Sequence, residues 1–308
     1  MLSVYVPTYN HEKYIEKALD SILMQETTYS YEVLVGEDCS VDKTRKILQD
    51  YERTHPGKIK VFYREHNMYK EKINNAMDLI NHCKGKYIIA LEGDDFWIDP
   101  YKIQKQVDFL ENHPEYIAVS HDCIVVDKNS NPMEENYPTC KGKIYTYKHF
   151  ASEIMPGQLT TIMRKNFNKC SDYDTRILQK KFTPGDRVFF FWMLMNGKIY
   201  CMHERMSAYR FVTDGGTSFS ANYRYDFNNW NAIYECILLY SREKRNKDAE
   251  KYAEYLYLKN LLKGFKENQC SIKLMLKKVL LIHHFFRSIF MYLKYRVNKN
   301  LLHREIWV

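Results

Sequence analysis

The sequence predicts an α/β protein: a mostly parallel, Rossmann-like sheet flanked by helices, with a helical C-terminal appendage. Three observations carry that reading. Four strand-then-helix units follow one another up to Asn112, the pattern of a parallel sheet with helices on both faces. Polar and acidic residues collect where the first, second and fourth strands stop, which is where open α/β sheets hold their ligands. From Asn222 onward the composition shifts to helix rich in Tyr, Lys and Leu.

In order, Leu2, Val4 and Val6 alternate as strand one, which Pro7 is expected to stop. After the loop Thr8-Tyr9-Asn10, Tyr14, Ile15, Ala18, Leu19, Ile22 and Leu23 recur at helical spacing through Gln25. Glu32 to Val35 is strand two, ending in Gly36-Glu37-Asp38. Ser40 is placed to cap a helix that carries Ile47, Leu48 and Tyr51 and breaks before His55-Pro56-Gly57. Ile59 to Tyr63 is strand three, and Ile73 to His82 a helix closed by Gly85. Tyr87 to Leu91 reads as a buried fourth strand that ends in Glu92, Asp94 and Asp95, with Gly93 letting the backbone turn. Asp99-Pro100 then supplies an N-cap and a first-turn proline for a helix to Asn112.

The middle region is less regular. Ala118 to Asp122 reads as a strand and Asn129 to Pro132 as a turn. Val188 to Met195 is apolar nearly all round, so that helix is expected to be core, Trp192 included, and to end at Asn196-Gly197. Farther on, Ile272, Met275, Val279, Ile282, Phe286, Ile289, Phe290 and Leu293 share one face of a single amphipathic helix, with Lys273, Lys277, Arg287 and Lys294 largely opposite. Such a helix suits an anionic membrane surface, or docking on the catalytic domain with a solvated basic face.

Composition excludes several classes. Hydrophobic content of 45% is ordinary for a folded soluble protein. Eight scattered cysteines with no C-x-x-C pair argue for reduced thiols in a cytosolic protein, against a zinc site and a disulfide scaffold. Met1 leads straight into a strand pattern, so no signal peptide is expected, and no run of about 18 apolar residues would span a membrane. The net charge is +8, and residues 271–308 hold eight Lys/Arg against Glu305 alone. A general nucleic-acid binder would spread its basic residues over the folded face. Three carboxylates within four residues repel one another unless they share something positive. The economical candidate is Mg²⁺ or Mn²⁺, held by one or two carboxylates and by substrate phosphate oxygens. The alternative is an acidic turn that merely caps the Asp99 helix.

Three stretches, Val4 to Ile15, Val33 to Asp42 and Leu91 to Trp97, resemble the signature blocks of family 2 glycosyltransferases. Gly185-Asp186-Arg187 and Ser207-Ala-Tyr-Arg210 with Gly215-Gly216 resemble the acceptor-side blocks of that family, so the resemblance runs over roughly residues 2–220. It implies a GT-A fold and inverting, hexosyl-type transfer from a nucleotide-sugar donor, a UDP-sugar foremost, to a hydroxyl of a glycan or lipid-linked glycan. The setting it implies is bacterial surface-polysaccharide biosynthesis, in the cytoplasm or peripheral at the inner face of the membrane. Residues 1–220 would form the catalytic domain (1–112 for the nucleotide-sugar, 113–220 for the acceptor), and 221–308 the helical region.

Residue by residue, the resemblance assigns Pro7, Thr8, Tyr9, Glu12, Asp38, Asn74, Glu92 and Asp94 to the nucleotide-sugar. It assigns Asp94 and Asp95 to the Mn²⁺ or Mg²⁺ cofactor, Asp186 to the catalytic base, and Tyr209 and Arg210 to the acceptor side. Asp172 and Asp174 are second choices for the base, and a helix N-cap is the plain alternative for Asp186. Two departures stand out. Gly36-Glu37-Asp38 replaces the usual Asp-Asp, and Val212 stands where relatives often carry a histidine, leaving His203 and Asp214 as substitutes for a third metal ligand. Two rival functions remain: a sugar nucleotidyltransferase, disfavoured because Pro7-Thr-Tyr-Asn10 lacks a glycine-rich phosphate cradle, and a carbohydrate-binding or membrane-scaffold protein with vestigial acids.

Overall fold

Alternation along the first strand sets the layers. β1 (Leu2–Thr8), β2 (Tyr31–Glu37), β3 (Ile59–Tyr63) and β4 (Tyr87–Ala90) are parallel, in the order β3-β2-β1-β4. Val4 and Val6 face a core built with Val33, Val35 and Ile89 and covered by Ile15, Ala18, Leu19 and Ile22 of α1 (Ile15–Leu23) and Leu48 of α2 (Thr44–Thr54). Tyr5, Leu34 and Ile88 face the other way, onto Leu79 and Ile80 of α3 (Asn75–His82). Helices therefore cover both faces, as a period-2 pattern buried on both sides requires. Ile103, Val107 and Leu110 of α4 (Lys102–Asn112) join the first core.

The computed structural model describes residues 1–68, 74–134, 139–169, 173–180, 182, 185–212 and 224–301, the side chains of 297–301 excepted. The sequence-assigned Ile73, Asp172, Asp214 and Gly215-Gly216 lie outside them. β5 (Phe96–Trp97), β6 (Tyr116–Val126), β7 (Lys143–Tyr145), β8 (Met163–Lys165) and β9 (Lys198–Arg210) complete a nine-stranded sheet. β8 is antiparallel to both β4 and β6, β9 runs parallel to β6, and the short β5 is antiparallel to β9.

The chain divides into two compact units: residues 1–144, 156–173 and 198–221 form the first, and 145–155, 174–197 and 222–308 the second. The helical unit thus takes in two segments besides the C-terminal region. It consists of α5 (Tyr147–Ala151), α6 (Asp186–Asn196), α7 (Phe227–Glu243), α8 (Lys247–Lys266), α9 (Ile272–Val279) and α10 (Phe285–Leu301). α7, α9 and α10 all pack on α8. As expected, α6 buries Val188, Phe190, Phe191, Trp192 and Met193 and stops at Gly197.

Several local expectations are corrected. Pro7 does not stop β1: it stays in register with Gly36, and its carbonyl accepts the Gly93 N–H at 3.2 Å. Ser40 does not cap α2; Asp42 Oδ1 accepts the Thr44 N–H instead, at 2.9 Å. Asp99 turns the chain one step before α4, its Oδ1 accepting the Tyr101 N–H at 2.8 Å, and the helix begins at Lys102. The single amphipathic helix is broken at 280–284. There Leu281 O accepts from Arg242 Nη2 at 2.8 Å, and Glu254 Oε1 accepts from the His283 N–H at 2.9 Å. Ile282 is consequently buried rather than on an open stripe. All the cysteines among the described residues are free, and no helix there is long and apolar enough to cross a membrane.

Candidate active site

The parallel register brings three strand ends together. Thr8 lies opposite Glu37, the Asp38 N–H donates to Thr8 O at 3.0 Å, and Gly93 reaches back to Pro7. The loop after β1 is stitched to the loop before α2 from both sides. Asn10 N–H donates to Ser40 Oγ (3.0 Å), His11 N–H to Thr44 Oγ1 (2.8 Å) and Glu12 N–H to Asp42 Oδ2 (3.0 Å). In return Val41 N–H donates to Asn10 Oδ1 (2.9 Å) and Lys43 N–H to Glu12 Oε2 (3.0 Å). Asn10 and Cys39 take positive φ within these loops, which asparagine tolerates well. The polar spacing of the loop after β1 is thus explained first by this lacing, with Thr8 buried and Pro7 and Tyr9 partly exposed.

The acidic turn is held from two directions. A Cβ on Gly93 would lie 2.7 Å from both Thr8 Oγ1 and His11 Nδ1, so close approach, more than turning, demands glycine there. On the other side, β5 pairs Phe96 with Ala208 and Trp97 with Ser207, which delivers Arg210 to the turn. The Arg210 N–H donates to Asp95 Oδ1 and its Nε to Asp94 O, both at 2.8 Å. Its Nη1 and Nη2 donate to Asp127 O (2.7 Å) and Ser130 Oγ (3.0 Å), and the guanidinium lies 4.3 Å from the Tyr14 ring centre. Arg210, 5% exposed, is a clamp on the acidic turn, while its neighbour Tyr209 is partly exposed.

Clamping leaves a definite oxygen. Asp95 is 1% exposed, and its Oδ2 is buried without a hydrogen-bond partner. Burial, and after it the charges of Asp94 and Glu92, push the Asp95 carboxyl well above its ordinary range. Glu92 and Asp94 are partly exposed. The three do not close into a ready three-ligand cage. Among the described residues that geometry occurs at Glu250, Glu254 and His283, where Arg242 already pairs with both glutamates. Hard carboxylate oxygens with one orphaned and buried fit a Mg²⁺ or Mn²⁺ ion that takes one or two protein ligands and completes its shell from elsewhere.

On the nucleotide side, Asp38 is buried and its Oδ1 accepts the Met68 N–H at 2.7 Å. The unusual Glu37 is fully buried, bound by Arg45 Nε and the Ser40 N–H, each at 2.5 Å, so it braces the loop. Asn74 is exposed and N-caps α3 through the Met77 N–H. Asn75 is the one that reaches the end of β2: its Nδ2 donates to Gly36 O at 2.8 Å, and a Cβ at Gly36 would collide with it. Sequence reasoning passed over Asn75 and His11. Burial lowers the His11 pKa, although Asp94 and Asp42 pull it upward. The tight Gly-to-His approach had no signal in the sequence beyond the glycine itself.

Asp186 lies in the helical unit, as the first residue of α6, with Gly185 in the N-cap position. It sits one residue inside the N-cap position, and its carboxylate takes backbone hydrogen bonds at Asp186 and Arg187, so a role at the helix start stands beside the catalytic one. Burial raises the Asp186 carboxyl pKa, the direction a general base at neutral pH needs. Next to it Arg187 is buried, stacked 3.9 Å from the Phe150 ring centre and donating to Phe150 O. Asp174 is bound by Arg176 at 2.6 Å and Lys244 at 2.7 Å, which hold its carboxyl far below the usual range and make it a poor base. His203 sits against Gly142, seven residues back along β9 from Arg210. Along the partner strand, where Asp122 pairs with Arg205 and Val126 with Arg210, four steps of about 3.3 Å already separate Arg205 from Arg210, and His203 lies farther back, too far to share a metal with Asp95.

Comparison with known proteins adds what geometry alone does not. The model of glycosyl transferase family 2 matches residues 3–182, more than half of the chain. The chain belongs to glycosyl transferase family 2. TuaG of Bacillus subtilis, whose name refers to teichuronic acid biosynthesis, is 26% identical over 253 residues, covering 80% of this chain and 89% of that one. An uncharacterised Mycobacterium tuberculosis protein is 34% identical over 125 residues, 41% of this chain but only 36% of its own length. The structure of S. aureus TarS 1–349 in complex with UDP-GlcNAc aligns with a TM-score of 0.61 at 17% identity, over 99% of this chain and 86% of that one. This family 2 chain therefore has the GT-A fold, and the residues matched by the family model include both stitched loops and the acidic turn.

Proposed function

We propose that the chain is a metal-dependent, inverting glycosyltransferase that moves a sugar from a nucleoside diphosphate donor, a UDP-sugar foremost, to a hydroxyl of a glycan or lipid-linked glycan in bacterial surface-polysaccharide assembly. The observation that carries the reading is the clamped acidic turn at the meeting of three strand ends, with Asp95 Oδ2 buried and unpaired. Pro7, Thr8, Tyr9, Glu12 and Asp38 form the nucleotide side, on a loop pair already laced together. Asn74 belongs to that side as a helix cap at its border. Asp94 and Asp95 would hold Mn²⁺ or Mg²⁺, which supplies positive charge against the departing diphosphate. Asp186 takes the proton of the attacking hydroxyl, its raised pKa keeping it basic near working pH. Residues 1–112 bind the donor and 113–220 serve the acceptor, with Tyr209 at its edge. The enzyme works from the cytoplasm, peripheral at an anionic membrane face.

The deciding experiment is nucleotide release from a panel of UDP-, GDP- and dTDP-sugars, with Mn²⁺ and then with chelator. Release from one donor class, abolished by EDTA and restored by Mn²⁺, is expected. Full turnover in excess EDTA removes the metal from the mechanism, and release from no sugar nucleotide removes the transferase reading.

A further inference from the structure

The two terminal helices are docked and bare at once. On one side they are anchored to α8: Glu254, fully buried, accepts from the His283 N–H and from Arg287 Nη2 at 2.9 Å, and Ser288, Met291 and Tyr295 are buried. On the other side each helix leaves an apolar row uncovered. Ile272, Leu276 and Leu280 recur every four residues and are 57%, 61% and 80% exposed. Phe286, Phe290 and Leu293 recur at helical spacing and are 87%, 67% and 54% exposed. Isolated exposed apolar side chains are ordinary, but rows of this size mark an interaction surface. The row read from sequence periodicity shares Ile272, Phe286, Phe290 and Leu293 with these, but the break at 280–284 turns Ile282 inward and leaves Leu276 and Leu280 out.

Charge identifies the occupant. Lys273 and Lys277 are exposed directly beside the first row, and Arg296 is exposed beyond the second. Residues 271–308 carry eight Lys/Arg and the single acid Glu305. A second copy of this chain would bring the same positive charge to the contact. A helix with apolar side chains between cations, too short and too charged to span, is complementary to the interfacial layer of an anionic bilayer. We infer that α9 and α10 form a membrane-adsorption surface, inserting Ile272, Leu276, Leu280, Phe286, Phe290 and Leu293 among acyl chains while the lysines meet anionic headgroups. This gives the peripheral location proposed above its physical basis, and it rests on no assumption about the transfer reaction.

Cosedimentation of the full chain with phosphatidylcholine vesicles, with and without phosphatidylglycerol, tests it. Wild type should bind the anionic vesicles at least about tenfold more tightly than neutral ones, and less so as salt shortens the screening length. Phe286→Ser/Phe290→Ser and Lys273→Glu/Lys277→Glu should each weaken that binding at least about tenfold. Their melting temperatures and their nucleotide release with a soluble acceptor should match wild type, since the replaced side chains face solvent. Three results would overturn the inference: no vesicle binding by wild type, equal binding to both vesicle types, or a Phe double variant that binds as wild type does. A dimer in sedimentation that the Phe substitutions dissociate would also overturn it, assigning the rows to a second copy. Vesicle binding without any sugar transfer leaves this surface standing and sinks the transferase reading alone.

Discussion

Asp95 concentrates the electrostatics of the site in one side chain. Its carboxyl pKa is raised in the folded protein, so its stabilising contribution is present below the unfolded value, about 4, and lost as pH rises through the folded value. Above that window and without metal, the buried carboxyl destabilises the fold relative to a side chain that does not ionise. Asp95→Asn should therefore raise the metal-free melting temperature, by about 2–4 °C per kcal/mol recovered. It should also abolish the further rise that Mn²⁺ gives wild type, and scanning fluorimetry of both proteins with and without Mn²⁺ reads this directly. A variant that still melts higher with Mn²⁺ places the ion elsewhere. Asp186 gives the second prediction. Because its pKa is raised, activity should fall on acidification at a pH above the ordinary carboxylate range. Asp186→Asn should lower kcat by roughly 10²- to 10⁴-fold and leave melting close to wild type, because an amide oxygen keeps much of what the carboxylate accepts from the first turn. A pH–rate series that keeps wild-type kcat in the variant excludes Asp186 as the base. Sequence reasoning named both carboxylates as candidates because the proposed chemistry needs such groups. Residue identity was not legible where contact is the reason: Gly93 against Thr8 and His11, or Gly36 beneath Asn75.

Apart from β5, the elements of the first 112 residues were legible because they carry their own periods: alternation in β1, and 3.6-residue recurrence in α1 and α4. What escaped is what depends on distant partners. β5 is two residues long and exists because β9 pairs with it, while β9 itself gave only a short motif near its end. The corner at 280–284 has neither Gly nor Pro; Arg242 and Glu254, from two earlier helices, hold it. The end of β9 also gives Arg210 a structural task. The resemblance places it with the acceptor, whereas the structure has it hold Asp94, Asp127 and Ser130. Arg210→Ala leaves the part-buried carbonyls of Asp94 and Asp127 short of a donor, at about 1 kcal/mol each. It should weaken Mn²⁺ affinity about 10- to 100-fold, as loss of an outer support does, with Arg210→Lys intermediate and the acceptor KM little changed. Unaltered Mn²⁺ affinity with a raised acceptor KM would return Arg210 to the acceptor.

At the scale of the molecule, charge and chain path are both uneven. Of the net +8, all but one falls within residues 271–308, so the rest of the chain is nearly neutral and the end of the helical unit strongly basic. The path matters more. Residues 145–155 and 174–197 leave the sheet-bearing unit for the helical one, and the chain returns after each before it finally departs. A boundary near residue 220 was what a contiguous reading had to suggest, since no composition shift marks such short excursions. That weaving also fixes an order of manufacture. A ribosome that has released β1 to β4 and the turn after them has made every carboxylate there, yet one of the two holds on that turn is missing until Arg210 emerges, more than a hundred residues later. The nascent chain must wait, with its most repulsive turn braced from one side alone, for the strand that closes it.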